Sequence, residues 1–168
     1  MEIGCFYFLT DQFYQDFPND SLPGNKPKDK SLHDRPCFYA FFDKKTNLYW
    51  VIPISHQVEK YKAIYQHKTS NGKKCDTIVL GKVLGQEKAF LIQNMCPVTN
   101  DYIKNQYLCN NKPVKLPKPL EKELCAKAKK VLALYRKGYT DLLFADVVKM
   151  EQTLTQHIEF ESEVLIHE

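Results

Sequence analysis

Glycine is scarce in this chain, at six of 168 residues, and none of the six belongs to a phosphate-binding loop. That argues against nucleotide-driven chemistry. Long apolar runs are missing too: none approaches the roughly 20 residues that a membrane span requires. The opening Met1-Glu2-Ile3-Gly4-Cys5 lacks the basic start and apolar stretch of a secretory signal, so a cytoplasmic protein is expected. The cysteines (Cys5, Cys37, Cys75, Cys96, Cys109 and Cys125) never stand two residues apart. Zinc or redox pairs are therefore unsupported, buried thiols are the expectation, and nothing in the pattern requires a metal or a cofactor. Arginine is nearly absent, with only Arg35 and Arg136, and no internal repeat is visible.

What is present suits a folded chain. Hydrophobic residues make up 43% and aromatics 12%, which excludes disorder. At this length one domain over residues 1–168 is expected. The net charge of +4 hides a division. Residues 1–20 carry four acids and no base, and residues 141–168 carry seven acids against Lys149. Residues 21–140 hold 23 Lys/Arg against nine Asp/Glu, a net +14. Such a block is a candidate surface for a polyanion; the plainer reading is a solvated lysine-rich exterior.

The periodicities predict an α+β fold. Ile3–Leu9 reads as a strand, and Thr10 as the cap of a short helix to Phe17. Pro18–Pro36 reads as a long loop. Cys37–Asp43 and Leu48–Pro53 read as strands joined by a Lys44–Asn47 turn. Ser55 reads as the cap of a helix to Lys68 with Val58, Tyr61, Ile64 and Tyr65 on one face. Thr77–Leu84 and Lys88–Ile92 form a second hairpin around Gly85-Gln86-Glu87. Thr99 is expected to cap a helix to Leu108, and Val114–Leu116 to form a short strand. A long helix is expected from Pro119 to Lys137, with Gly138 beyond its end. The last helix is expected to start at Thr140, within the acidic segment 140–168, and carries a Leu143, Val147, Met150, Leu154 stripe. Short hairpins favour a compact, twisted, mainly antiparallel sheet with helices on its flanks.

The segment Pro53-Ile54-Ser55-His56-Gln57 places a hydroxyl, an imidazole and a carboxamide where a strand gives way to a helix. The start of a helix offers unpaired N–H groups and partial positive charge, which suit a phosphate. One reaction needing only such groups is cleavage of an RNA phosphodiester by its own 2′-hydroxyl. His56 is the candidate base, since a helix start favours a neutral ring. Ser55 and the first amides would hold the non-bridging oxygens. Lys60, or Lys44, Lys45 and Lys82, would add charge. The bland reading makes Ser55 a cap and His56 a surface residue.

Candidate RNA-binding residues are Lys26, Lys28, Lys30 and Arg35 in the long loop, Lys44 and Lys45 in the first hairpin, and Lys73 and Lys74 after Asn71-Gly72. Lys82, Lys112, Lys115 and Lys118 complete the set. Lysines suit backbone phosphates better than base edges. Tyr39, Tyr49, Trp50, Tyr61 and Tyr65 are candidates to stack bases, although strands and helices need aromatics for the core in any case.

Phe6-Tyr7, Asp34-Arg35-Pro36-Cys37-Phe38-Tyr39-Ala40, Tyr49–Ser55 and Ala89–Val98 occur in an order that resembles the type III toxin–antitoxin toxins of the ToxN/AbiQ class, most closely the CptN branch. The resemblance covers about residues 3–150. It implies a fold similar to the MazF/Kid toxins and a metal-independent endoribonuclease that leaves 2′,3′-cyclic phosphate and 5′-hydroxyl ends. It also implies a partner: an antitoxin RNA of pseudoknotted repeats, processed by the toxin and holding it in a closed protein–RNA ring. Cellular or phage RNA would be the substrate, with a role in phage defence and neither DNA nor membrane as partner. In the family pattern a Thr/Ser-Ser-x-Lys-like run follows a proline at the strand-to-helix turn. Ser55 matches the hydroxyl, His56 replaces the second serine, and Gln57 and Val58 stand where the lysine is expected. The cationic role then passes to Lys60 or another segment. Arg35 matches the basic residue beside the loop proline, and Tyr7 and Phe13 match aromatic positions near the site. Two alternatives remain: a non-catalytic RNA-binding module using the same basic face, and a protein-interaction domain using the acidic tail.

Overall fold

The computed structural model describes residues 1–18 and 35–166. The loop expected over Pro18–Pro36, with Lys26, Lys28 and Lys30, falls almost wholly outside them.

Nine strands and four helices follow in chain order among the described residues. They are β1 (Phe6–Leu9), α1 (Asp11–Asp16), β2 (Cys37–Asp43), β3 (Leu48–Ser55), α2 (Val58–Thr69), β4 (Ile78–Val83) and β5 (Gln86–Leu91). Then come β6 (Cys96–Val98), β7 (Ile103–Gln106), β8 (Leu108–Cys109), β9 (Lys112–Pro113), α3 (Lys118–Tyr135) and α4 (Val147–Ile166). Seven strands form one antiparallel sheet in the order β4-β5-β3-β2-β1-β7, with β6 also on β3; β8 and β9 pair separately. The mainly antiparallel α+β architecture is as expected.

Several local signals act as the sequence suggests. Thr10 accepts the Phe13 amide proton and starts α1. The four residues after Asp43 turn the chain between β2 and β3, with Asp43 Oδ1 accepting from the Lys45 amide at 3.0 Å. Five elements differ. The expected Val114–Leu116 strand reduces to a single bridge between Lys115 and Cys5. The last helix begins at Val147 instead of Thr140, after a 3-10 turn over Thr140–Leu142. No helix follows Thr99: a single 3-10 turn over Asn100–Tyr102 leads into β7, which pairs with β1. Its backbone bonds go to a strand a hundred residues earlier, a partner no local window reveals. The turn between β4 and β5 is tighter than expected. Leu84 and Gly85 alone make it, with φ of 50° and 79°, the geometry that matches the twist of a hairpin. And β6, three residues too short to show a period, docks on β3 through Cys96↔Val51 and Val98↔Tyr49.

Alternation along the strands sends Phe6, Phe38, Ile52, Ile54 and Phe90 into the main core. There they meet Leu124, Ala128, Val131 and Leu132 of α3 and Val147 and Met150 of α4. Each such side chain contributes about 1.5–3 kcal/mol by burial. Trp50, fully buried, stacks on Phe41 at 6.0 Å. Gly81 has no side chain for a packing reason: a Cβ there would lie 2.5 Å from Leu120 Cδ2 at the start of α3. A register shift interrupts β2 between Tyr39 and Phe41, and the Ala40 carbonyl there accepts from the Cys125 thiol of α3 at 2.8 Å. On β4 and β5 rests α2, which has no buried residue.

Arg136, just past α3, ties three elements together. Its guanidinium donates to Asp43 at the end of β2, at 3.0 Å, and to Glu151 of α4. Glu151 is 8% exposed. Burial raises its carboxyl above the ordinary range while Arg136 pulls it down. Arg136→Met would strand a buried carboxylate, and we expect a loss of about 2–4 kcal/mol in unfolding free energy at neutral pH. The folded-state pKa of Glu151 then rises further, so ionisation destabilises the fold more as pH increases. The deficit should be largest near neutrality and shrink in mild acid, as pH falls through the raised folded-state pKa of Glu151 and the carboxyl takes up its proton. Urea titrations at both pH values check this.

Candidate active site

Strand β3 ends at Ser55 because its last ladder partner is Ala89 of β5. The chain then turns through His56 and Gln57 into α2. Ser55 therefore does not cap the helix as expected. Gln57 holds that position, without a side-chain cap bond, because the β5 pairing keeps Ser55 in extended backbone. The hydroxyl still serves the turn: Ser55 Oγ accepts from the Gln57 amide at 3.2 Å. The Val58 amide donates to the His56 carbonyl at 2.8 Å. Because Oγ acts there as an acceptor, its own hydrogen is free for a ligand. Ser55 is half-buried, and His56 and Gln57 are exposed.

Arg35 belongs to this place. It lies two residues before β2, whose ladder with β3 begins at Cys37↔Pro53, on the Ser55 end of that strand. It also acts on Tyr61 of α2: burial pushes the Tyr61 phenol up, and Arg35 works against that rise. The Lys60 ammonium lies 5.5 Å from the centre of the Tyr61 ring. Tyr61 thus stands between two cations beside the junction, a placement that came only from folding α2 against the strand ends. Lys82 is exposed on β4 opposite Glu87, two residues past the Ala89 row. The Glu87 carboxyl is held low chiefly by Lys62, 2.9 Å away, with Lys82 adding to the effect.

Tyr7 sits elsewhere on the same sheet face. It pairs with Cys37, which pairs with Pro53, so two strand spacings, roughly 10 Å, separate it from β3. It is 7% exposed. Its hydroxyl oxygen accepts from the Glu2 amide at 2.7 Å and from Gln106 Nε2 at 3.3 Å. Burial raises its pKa, so the phenol keeps its proton. Tyr39 packs edge-on against Tyr7 and Tyr49, at 6.4 and 5.5 Å. It is 3% exposed, and burial pushes its phenol up to about 12. Its ring is a core contact and is not presented for base stacking, which corrects the expectation from sequence.

The remaining lysines are dispersed. The eight residues of β3, roughly 25 Å of strand, put Lys44 and Lys45 at the opposite end from Ser55. Lys73 and Lys74 are exposed beyond the far end of α2. Lys112 is exposed on β9. Lys115 is paired with Glu2, and Lys118 lies 3.0 Å from Glu121. Those two charges are already partly neutralised within the chain. Lys26, Lys28 and Lys30 lie outside the described residues. Among the described residues no group of three or more His, Cys, Asp or Glu is placed to hold a metal ion, and no helix is long and apolar enough to cross a membrane.

No protein-family model and no curated protein matches the chain. Its fold is similar to that of AbiQ, described as a lactococcal anti-phage endoribonuclease belonging to the type III toxin–antitoxin system. The TM-score is 0.61 at 17% sequence identity, over 92% of this chain and 98% of AbiQ. At that identity the likeness is one of fold.

The Tyr7 hydroxyl has a structural duty that can be measured. Tyr7→Phe leaves the Glu2 amide and the Gln106 side chain without their acceptor. We expect a loss of about 1–2 kcal/mol in urea unfolding with the fold retained.

Proposed function

We propose that this chain is an RNA-cleaving toxin of the type III toxin–antitoxin kind, with the Ser55–Gln57 junction as its active site. What supports the reading is the strand-to-helix junction at Ser55, His56 and the start of α2, with Arg35 acting on Tyr61 of that helix, in a fold similar to that of an endoribonuclease. In the proposed reaction His56 takes the proton of a 2′-hydroxyl. The 2′-oxygen then bonds to the adjacent phosphorus, and the bond to the 5′-oxygen breaks as that oxygen gains a proton. A 2′,3′-cyclic phosphate and a 5′-hydroxyl result, and the chemistry needs no metal. The Ser55 hydroxyl hydrogen and the next amides of α2, at Glu59 and Lys60, meet the non-bridging oxygens where negative charge grows. Arg35 and Lys60 add positive charge, and the Gln57 carboxamide is a neutral donor beside them. Tyr7, with its protonated phenol, would touch the nucleotide strand further along the same face.

The finer parts of the proposal rest on the sequence resemblance. The closest branch would be CptN. The partner would be an antitoxin RNA of pseudoknotted repeats that the toxin cuts from a precursor and that then encloses it in a protein–RNA ring. Substrates would be cellular or phage RNA in the cytoplasm. Ser55, His56, Gln57, Lys60 and Tyr7 would serve the reaction, and the basic residues around them the binding.

His56→Ala should lower kcat for RNA cleavage by about 10²–10⁴-fold, and Ser55→Ala by about 10²–10³-fold, while RNA affinity changes little. Wild-type cleavage should continue in EDTA and yield 5′ ends that a kinase labels without prior phosphatase. Ends already phosphorylated, or activity that EDTA abolishes, would overturn the mechanism. Binding without any cleavage by the wild type would favour the non-catalytic module.

A further inference from the structure

Lys68 differs from the other anchored lysines. Lys62, Lys115, Lys118, Lys127 and Lys130 each meet a carboxylate. Lys68, half-buried in the last turn of α2, donates instead to Thr77 Oγ1 at 2.9 Å and to Gln93 Oε1 at 3.1 Å. Both acceptors are neutral and more than nine-tenths buried. They are themselves fixed: the Gln93 amide donates to the Thr77 carbonyl at 3.0 Å, and the Gln93 carbonyl accepts from the Phe144 amide at 2.9 Å. The ammonium is thus held in one place by neutral acceptors, with no described carboxylate in salt-bridge range and a third N–H to give.

The common use of a basic residue in a last turn is to answer the helix dipole. Here the hydroxyls of Thr69 and Ser70 meet the Tyr65 and His67 carbonyls, at 2.9 and 2.7 Å, and Lys68 turns away to β4 and the turn after β5. Lys73 and Lys74 follow within a few residues, exposed. Asp76, the acid next to them in the chain, is engaged by Lys130. Among the described residues, none of these three lysines has a carboxylate in salt-bridge range. An anchored lysine has already lost much of its side-chain freedom, so an anion binding it gives up less entropy than one binding a mobile lysine.

We propose that Lys68, with Lys73 and Lys74, forms a second phosphate subsite for single-stranded RNA at the C-terminal end of α2. The twelve residues of α2 put it roughly 18 Å from the Ser55 junction. The subsite rests on the RNA reading above and refines it: RNA runs along α2, and its backbone is gripped several nucleotides from the cleaved bond. Short RNA fills only the junction, whereas long RNA engages both ends of the helix.

The test measures RNA affinity against salt, using non-cleavable 2′-O-methyl oligoribonucleotides of mixed sequence and graded length. For oligomers long enough to span α2, Lys68→Gln should lower the slope of log K on log salt by about 0.7, and Lys73→Ala/Lys74→Ala by about 1.4. A slope change of that first size is about a fivefold smaller loss of affinity per tenfold rise in salt. Dimers should show no change, and the control Lys149→Ala on α4 should behave as wild type at every length. Unchanged slopes with long RNA would overturn the subsite, as would equal changes with dimers or in the control. Should Lys68→Gln fail to fold, the exposed Lys73/Lys74 pair decides alone. Wild-type protein that binds no RNA refutes the function and the subsite together. Wild-type protein that cuts RNA, with variants of unaltered slope, refutes only the subsite.

Discussion

Strand β3 shares its two edges among three partners. Along one edge it pairs with β2 from Leu48 to Pro53; along the other it holds β6 at Tyr49–Val51 and β5 at Ile54–Ser55. Buried hydrogen-bonding groups must find partners, and this strand finds them by handing over from β6 to β5 partway along. The consequence reaches the core and the junction alike. One face of β3 sends Ile52 and Ile54 toward α3 and α4, while the last β5 pairing stops the strand at Ser55 and releases the chain into α2. The turn that presents Ser55 and His56 is placed by a ladder over most of its length, and it inherits the rigidity of the sheet.

The elements legible from sequence are those whose stabilising partners lie nearby in the chain. The Thr10 cap and the Lys44–Asn47 turn are of that kind; the Leu143, Val147, Met150, Leu154 stripe shows through its spacing alone, and it is buried throughout. The misread elements depend on distant partners. The residues after Thr99 resemble a helix start until β1 claims Ile103 and its neighbours. Ser55 resembles a cap until Ala89 holds it in the sheet. At the site, the Pro53–Gln57 run announced itself through residue types. What could not be read was the action of Arg35 on Tyr61, since that follows from packing α2 near the start of β2, well separated along the chain.

Charge shows the same limit. A count along the chain treats every lysine as equal, but folding sorts them. Glu2, remote in sequence, answers Lys115; Glu87 and Glu59 answer Lys62; Glu121 answers Lys118. Arg136, one of the two arginines, is wholly occupied by Asp43 and Glu151. The positive charge that remains open to a ligand is set by which carboxylates each fold contact consumes.

The last helix closes the core from the far end of the chain. Val147 and Met150 belong to the same buried cluster as Phe6 and Phe38, and Glu151 supplies one of the two acceptors for Arg136. Synthesis proceeds from the N-terminus, so the strands and α3 emerge before the surface that seals them. A nascent chain up to residue 140 has its sheet residues made and its core open on one side. The core is therefore sealed only once α4 has been made, and a product truncated before α4 exposes apolar surface of the kind that proteases and chaperones recognise.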